Sequence, residues 1–220
     1  MFVGHYAAAF ALAGARPKTP LWGLVLGVQA LDVVWAGLIL AGVEKVRIAP
    51  GFLEASSLDL HFMPYSHGLP AAIGWSILFG ALWAVWRKSR AEGMLIGLAV
   101  FSHWIADVIV HAPDLELWPG GPMAGLGLWR SLVISQSLEI GLLLAASAFW
   151  ILRARPKLWR AAGFVVLLIG LQALSHAPGM GPPSVQVLAM QALVIYLLAA
   201  GLAFLAERGP GPVSRAAAAR

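Results

Sequence analysis

His103 and Asp107 stand four residues apart in the stretch Ser102-His103-Trp104-Ile105-Ala106-Asp107. On a helix, positions i and i+4 are neighbours with Cβ atoms about 5–6 Å apart, so this pair can share a metal ion, or the carboxylate can orient the imidazole. His111, four residues further on, continues the stripe. Two more acids lie inside long apolar runs: Asp32 in Ala30-Leu31-Asp32-Val33-Val34-Trp35, and Glu139 beside Ser135, Gln136 and Ser137. A charged acid at the centre of a membrane helix costs about 2.5–3.5 kcal/mol on the insertion scale. No Lys or Arg lies in the interior of these runs to offset that. Protonation, a bound cation or a watery cavity with histidine partners remain, and a divalent ion with His and carboxylate ligands meets the need most directly. Plainer readings stand beside this one. The His103–Asp107 pair could be a helix-bundle hydrogen bond, Asp32 a protonated acid capping a neighbouring helix, and Glu139 part of a structural polar cluster. His61 and His111 read as solvated, and His176, followed by Ala177-Pro178-Gly179, reads as a helix-end residue outside the site. There is no cysteine, which excludes disulfides, thiolate metal sites and a catalytic thiol.

The elements that must position these groups follow from composition. The 220 residues are 60% hydrophobic and only 11% charged, with a mean hydropathy of +0.81. An ordinary soluble domain carries about 25% charged residues, so lipid is the solvent for most of this chain. Six runs are long enough to cross a bilayer as helices: Leu21–Val43, Gly68–Trp86, Ala91–Ala112, Leu128–Leu152, Leu158–Ala177 and Ser184–Ala206. A seventh, Phe2–Ala15, is short and is a full helix, a half-helix or an interfacial segment. Backbone groups cannot go unpaired in lipid, so helices are expected throughout. The fold class is therefore all-α, a polytopic transmembrane bundle of six long spans plus a short N-terminal helix. It forms one domain over 1–207, with a disordered basic cytoplasmic tail over 208–220. Met1-Phe2-Val3-Gly4-His5 lacks the positive start of a secretory signal and is expected to be retained.

Charge sets the orientation. Twelve basic residues (Arg16, Lys18, Arg87, Lys88, Arg90, Arg153, Arg155, Lys157, Arg160, Arg208, Arg215 and Arg220) fall on one side if all seven runs cross, against Lys45, Arg47 and Arg130 on the other. The positive-inside rule then puts the N-terminus outside and the C-terminus in the cytoplasm. The formal charge of +5 belongs to loops between apolar runs, which speaks against a nucleic-acid partner. The two longest connections, about Glu44–His67 and Pro113–Gly127, are then external, and all six histidines lie from mid-membrane outward. Loops of that length are more often binding loops or lids than spacers.

These motifs resemble those of the bacterial inner-membrane metal-dependent hydrolase family. Its members show an N-terminal Gly-His, an acidic motif at the end of an early helix, a Thr-His-Ser-type motif opening another helix, and Ser-His-x-x-x-Asp. Gly4-His5 matches the first, Tyr65-Ser66-His67-Gly68 is similar to the third, and Ser102–Asp107, continuing to Leu117-Trp118-Pro119, is the nearest match. The family's paired acids followed by His are reduced to Asp32, and Met63-Pro64 stands where a His-Arg would precede the Thr-His-Ser motif. The likeness covers roughly the first 120 residues in the same motif order. It implies a metal-site scaffold with His5, Asp32, His67, His103 and Asp107 as ligands, most simply of zinc.

The function this points to is a membrane-embedded metal-dependent hydrolase with its site open to the non-cytoplasmic side of the inner membrane. Asp59 or Glu139 would be the general base, and the substrate a lipid-like or envelope ester or phosphoester. The alternative is a transporter or permease that uses the same acids and histidines for cation or proton coupling. A haem protein with paired His ligands is a third class, weakened because only His103 sits deep. The orientation is directly testable. Reporter fusions after Ala206 and within Pro113–Gly127 should report opposite compartments, and the same compartment for both would refute the seven-crossing topology.

Overall fold

The computed structural model describes residues 1–177, 179 and 181–208. The expected disordered tail, with Arg215 and Arg220, lies from residue 209 onward outside the described residues. Among the described residues eight α-helices form: α1 (Gly4–Ala15), α2 (Leu21–Val28), α3 (Ala30–Leu40), α4 (Leu69–Arg87), α5 (Arg90–Val110), α6 (Leu132–Ala154), α7 (Leu158–Ser175) and α8 (Val185–Glu207). Helices α4 to α8 are long and apolar enough to cross a membrane; α2 and α3, bent by 48° at Gln29, make a sixth crossing if they act as one. Helix starts follow their caps. Ser89, Ser131 and Ser184 each accept a backbone N–H from the first turn of α5, α6 and α8, and Pro70 opens α4, where a missing N–H does no harm.

Apolar residues are arranged inside and out. The five long helices bury only 17–39% of their most apolar windows, and Ile77, Val85, Leu152 and Val166 each expose two-thirds or more of their surface. A surface this apolar fits lipid, not water. The short helices are the ones that are buried. At about 1.5 Å per residue the 12-residue α1 is about 18 Å long, too short for a hydrocarbon core of about 30 Å. It packs on α6, α2 and α5 instead. Tyr6, Phe10, Leu24, Val28, Leu143, Trp150, Phe164 and Leu168 interlock around it. An all-round apolar segment is expected inside a bundle.

The helix-only expectation is incomplete at one end. Two antiparallel hairpins, β1 (Lys45–Ile48) with β2 (Leu58–Phe62) and β3 (Leu115–Glu116) with β4 (Met123–Ala124), cap the bundle there. They occupy the two long connections, where the polar backbone is free of lipid and can pair between strands. Backbone bonds stitch this cap together and to the helices: Ala55 N–H to the Trp129 carbonyl, Leu69 N–H to Leu117, and Leu126 N–H to Val108. Trp35, Ile39, Val46, Leu60, Met63, Leu115 and Ala189 seal it with a second apolar cluster. Most of the basic residues lie at the opposite end, where Arg16 and Lys18 share a surface depression with Ser89 and Glu92, and Arg160 donates to the Arg208 carbonyl at 2.9 Å; Lys45, Arg47 and Arg130 stay with the cap.

Helix α5 is held against α4 through a seam of small residues. A Cβ on Gly80 would lie 2.8 Å from the Gly93 carbonyl oxygen, and one on Gly97 3.0 Å from that of Ser76. Close backbone approach of this kind is how membrane helices associate without a hydrophobic drive between them. Gly97→Leu should therefore destabilise the protein by about 1–3 kcal/mol, the usual cost of overpacking, read as a lower Tm in detergent. Gly163→Leu, with nothing within 4 Å of the added Cβ, should leave Tm unchanged.

Candidate metal centre

Helix α5 delivers two ligands from successive turns. His103 and Asp107 are both buried, and His103 Nε2 lies 3.1 Å from Asp107 Oδ2. Asp32 arrives from the first turn of α3, where the bend at Gln29 turns the chain into the bundle. His67 closes the connection before α4. His67 Nε2 is 3.3 Å from His103 Nε2, 3.4 Å from Asp32 Oδ1 and 3.5 Å from Asp107 Oδ2; His103 Nε2 is 3.5 Å from Asp32 Oδ1. Four ligand atoms from four positions thus share five separations of 3.1–3.5 Å. Donor atoms bound to one ion at about 2.0–2.2 Å in a tetrahedral arrangement lie about 3.3–3.6 Å apart. The triangle of Asp32 Oδ1, His67 Nε2 and His103 Nε2, with edges of 3.3, 3.4 and 3.5 Å, falls in that range, and Asp107 Oδ2 lies on the other side of the histidine pair.

The protonation pattern, assigned from the hydrogen-bond network, fits a cation as well. His103 Nδ1 donates to the Val28 carbonyl at 2.6 Å, one of the last carbonyls of α2, which have no partner along their own helix. Its Nε2 is left as the acceptor side. On the other side, Glu44 accepts the Ser66 hydroxyl at 2.6 Å and the backbone N–H of Tyr65 and Ser66, both at 2.8 Å. With its proton on Glu44, Ser66 Oγ can only accept from His67 Nδ1, 2.7 Å away. His67 Nε2 is then also without a proton. Two imidazole lone pairs 3.3 Å apart beside two carboxylates form an arrangement with acceptors on every side. It is relieved by a proton on one of the imidazoles or by a metal cation among them. Tyr196 donates to Asp32 Oδ2 at 2.7 Å and turns Oδ1 toward the histidines. Trp104 Nε1 holds the His67 carbonyl at 2.9 Å.

The second oxygen of Asp107 faces a neighbouring group. His5, from the first turn of α1, stacks flat on His103 with ring centroids 3.7 Å apart. Its Nε2 lies 3.2 Å from Asp107 Oδ1, yet neither buried ring nitrogen has a hydrogen-bond partner. The Met1 amino group is 2.6 Å from the same oxygen. Two overlapping sets, Asp32–His67–His103 and His5–His103–Asp107, therefore have the ligand atoms to hold a metal ion.

All five residues expected as ligands come together; the two expected as bases part ways. Glu139 lines the adjoining cavity, with Oε2 accepting the Phe2 and Gly4 N–H groups at 2.8 and 3.1 Å, where it caps α1. Asp59 sits on β2 and pairs with Arg47 at 2.7 Å, and it is not among the cavity's lining residues. His111 corrects the sequence reading. It is buried rather than solvated, its Nδ1 held by Asp114 at 3.0 Å and its Nε2 3.7 Å from Asp107 Oδ1. His61 is exposed, as read, and His176 bonds Gln136 and the Ala55 carbonyl at the end of α7. Glu44, Ser66 and Tyr196 escape sequence reading. The signals were a serine adjoining a histidine, and a lone phenol in an apolar run.

Beside the cluster lies a cavity of about 860 Å³, lined by Asp32, His67, Asp107, His111, Glu139 and Tyr196 at its polar pole. Ligand orientation should depend on the Glu44–Ser66–His67 chain. Ser66→Ala should weaken the binding of an added divalent ion about 10–100-fold, the usual effect of losing an outer-shell partner, while circular dichroism stays that of the parent; unchanged affinity in a chelator competition would contradict this. No family model matches the chain, nor does any curated protein or solved structure, so its function has to be read from this geometry.

Proposed function

We propose that the protein is a metal-dependent hydrolase of the bacterial inner membrane, with zinc held by His67, His103, Asp32 and Asp107 and His5 against the second Asp107 oxygen. The observation that carries this is the triangle of Asp32 Oδ1, His67 Nε2 and His103 Nε2, 3.3–3.5 Å on each edge, with Asp107 Oδ2 3.1 and 3.5 Å from the two imidazole nitrogens. Zinc, when bound, polarises a substrate carbonyl or phosphoryl oxygen and lowers the pKa of a water toward about 7. The chain's residues supply the rest. Tyr196 and the Glu44–Ser66 pair keep Asp32 and His67 aimed, so little reorganisation is needed when charge develops. Glu139 stands on the wall of the same cavity and would accept the proton of the attacking water. Asp59, committed to Arg47, is left to the capping hairpin.

The bent α2–α3 pair serves as the sixth crossing in this reading, with the capping hairpins outside, Met1 buried in the bundle beneath them and the basic end in the cytoplasm. A hydrolase is favoured over a permease by the placement of the cavity. Its lining residues come from the capped end and the adjoining helix halves, and among the described residues none belongs to the Arg16–Lys18 or Arg87–Arg90 end. A bare cation leaving toward that end would meet an apolar stretch, at a cost of at least about 2.5–3.5 kcal/mol.

Metal analysis of the full chain in detergent should find about one or more zinc per chain, retained through gel filtration, with at least two-thirds lost in His103→Ala. The zinc-loaded protein should hydrolyse phospholipid esters or phosphodiesters in vesicles, and the variant should not. Metal-dependent cation uptake into proteoliposomes, without hydrolysis, would establish the permease instead.

A further inference from the structure

The cavity has a second pole that the metal centre does not use. From Asp32 and Tyr196 it extends between the capped halves of α7 and α8, along Leu171 and Leu174 on one helix and Leu188, Ala192 and Ile195 on the other. These residues are only partly covered: Leu174 and Gln191 are exposed, and Leu171, Leu188, Ala192 and Ile195 are half-buried. The cavity therefore runs along the α7–α8 seam, whose side chains are incompletely covered, up to the connection between the two helices. Both helices are long and apolar enough to span a membrane, and the seam runs from their capped ends at Leu174 and Leu188 inward to Ile195. Above it the capping hairpin contributes an apolar ceiling from Ile48, Leu58, Leu60 and Met63.

We infer that the α7–α8 seam is a lateral portal through which a phosphate-bearing, acyl-chain lipid reaches the centre from the bilayer, its chain lying against Leu171, Leu174, Leu188, Ala192 and Ile195. This rests on the metal-centre reading for the headgroup end and on the apolar groove for the chain end. The two ends complement a glycerophospholipid. A metal ion held by the cluster would take a phosphoryl or ester oxygen as a further ligand, and the apolar side chains along the α7–α8 seam would accept a hydrocarbon chain. The volume of about 860 Å³ is that of a ligand-sized pocket, which runs from about 300 to 1,000 Å³. Polar groups also line it, Gln172, Ser175 and His176 on α7 and Gln191 on α8, and the apolar side chains of the two helices run between them.

The test uses the full chain reconstituted in phosphatidylglycerol vesicles carrying a small fraction of the same lipid with a photoreactive diazirine on one acyl chain. Illumination and peptide mapping should concentrate labelling on residues 171–174 and 188–195, above the lipid-facing stretch of α4 around Ile77–Val85. Ala192→Trp, which fills the groove, should lower that labelling about ten-fold, within the range expected for overfilling a packed site. Leu198→Trp, on the exposed face of α8, should not change it. Zinc content measured on the same samples keeps the two claims apart. Lost metal with groove labelling intact refutes the centre and leaves the portal. Normal metal with labelling spread evenly over all lipid-facing helices, or unmoved by Ala192→Trp, overturns the portal. Should Ala192→Trp fail to fold, the wild-type labelling map alone decides.

Discussion

Two largely buried carboxylates, with no lysine or arginine against them among the described residues, are the constraint to which the rest of this structure answers. Asp32 and Asp107 face imidazoles and the Met1 amino group, while Lys45 and Arg47 sit on the capping hairpin and Arg16 and Lys18 at the other end of the bundle. Leaving buried charges uncompensated costs several kcal/mol each even after relaxation. The local architecture balances them. The bend at Gln29 brings Asp32 inward and exposes a carbonyl that orients His103, and the buried α1 brings His5 against Asp107. The loop before α4 is held by Glu44 so that His67 completes the set. Each of these departs from the simple pattern of straight spans joined by short loops, and each serves the same four atoms.

Much of this was legible in the sequence, for identifiable reasons. The long spans were plain because lipid imposes one length and one composition on a helix. The His103–Asp107 pair was plain because i,i+4 spacing fixes proximity without tertiary knowledge. His5 and His67 lie on other elements, and the order of motifs along the chain pointed to them where periodicity could not.

Other features depend on three-dimensional context that a linear pattern does not carry. A hydropathy window averages over Gln29, so the break that frees the Val28 carbonyl was invisible. The hairpins use short strands with mixed polarity, and their pairing is set by the cap they build rather than by a strong two-residue alternation. His111 looked like a helix-end residue on the surface because nothing in the sequence shows Trp129 stacking over it at 4.4 Å, or Asp114 turning back to its Nδ1. Tyr196 is separated from Asp32 by 164 positions, and only the packing of α3 on α8 joins them.

The central claim is that the lone pairs of His67 and His103 and the carboxylates of Asp32 and Asp107 surround one cation. X-ray absorption at the zinc edge of the zinc-loaded full chain reads this directly. The account predicts a low-coordinate shell of nitrogen and oxygen at about 2.0–2.2 Å, with the outer-shell scattering of at least two imidazoles, reduced by His67→Ala. A six-oxygen shell without imidazole scattering, or a spectrum unmoved by that substitution, would contradict it.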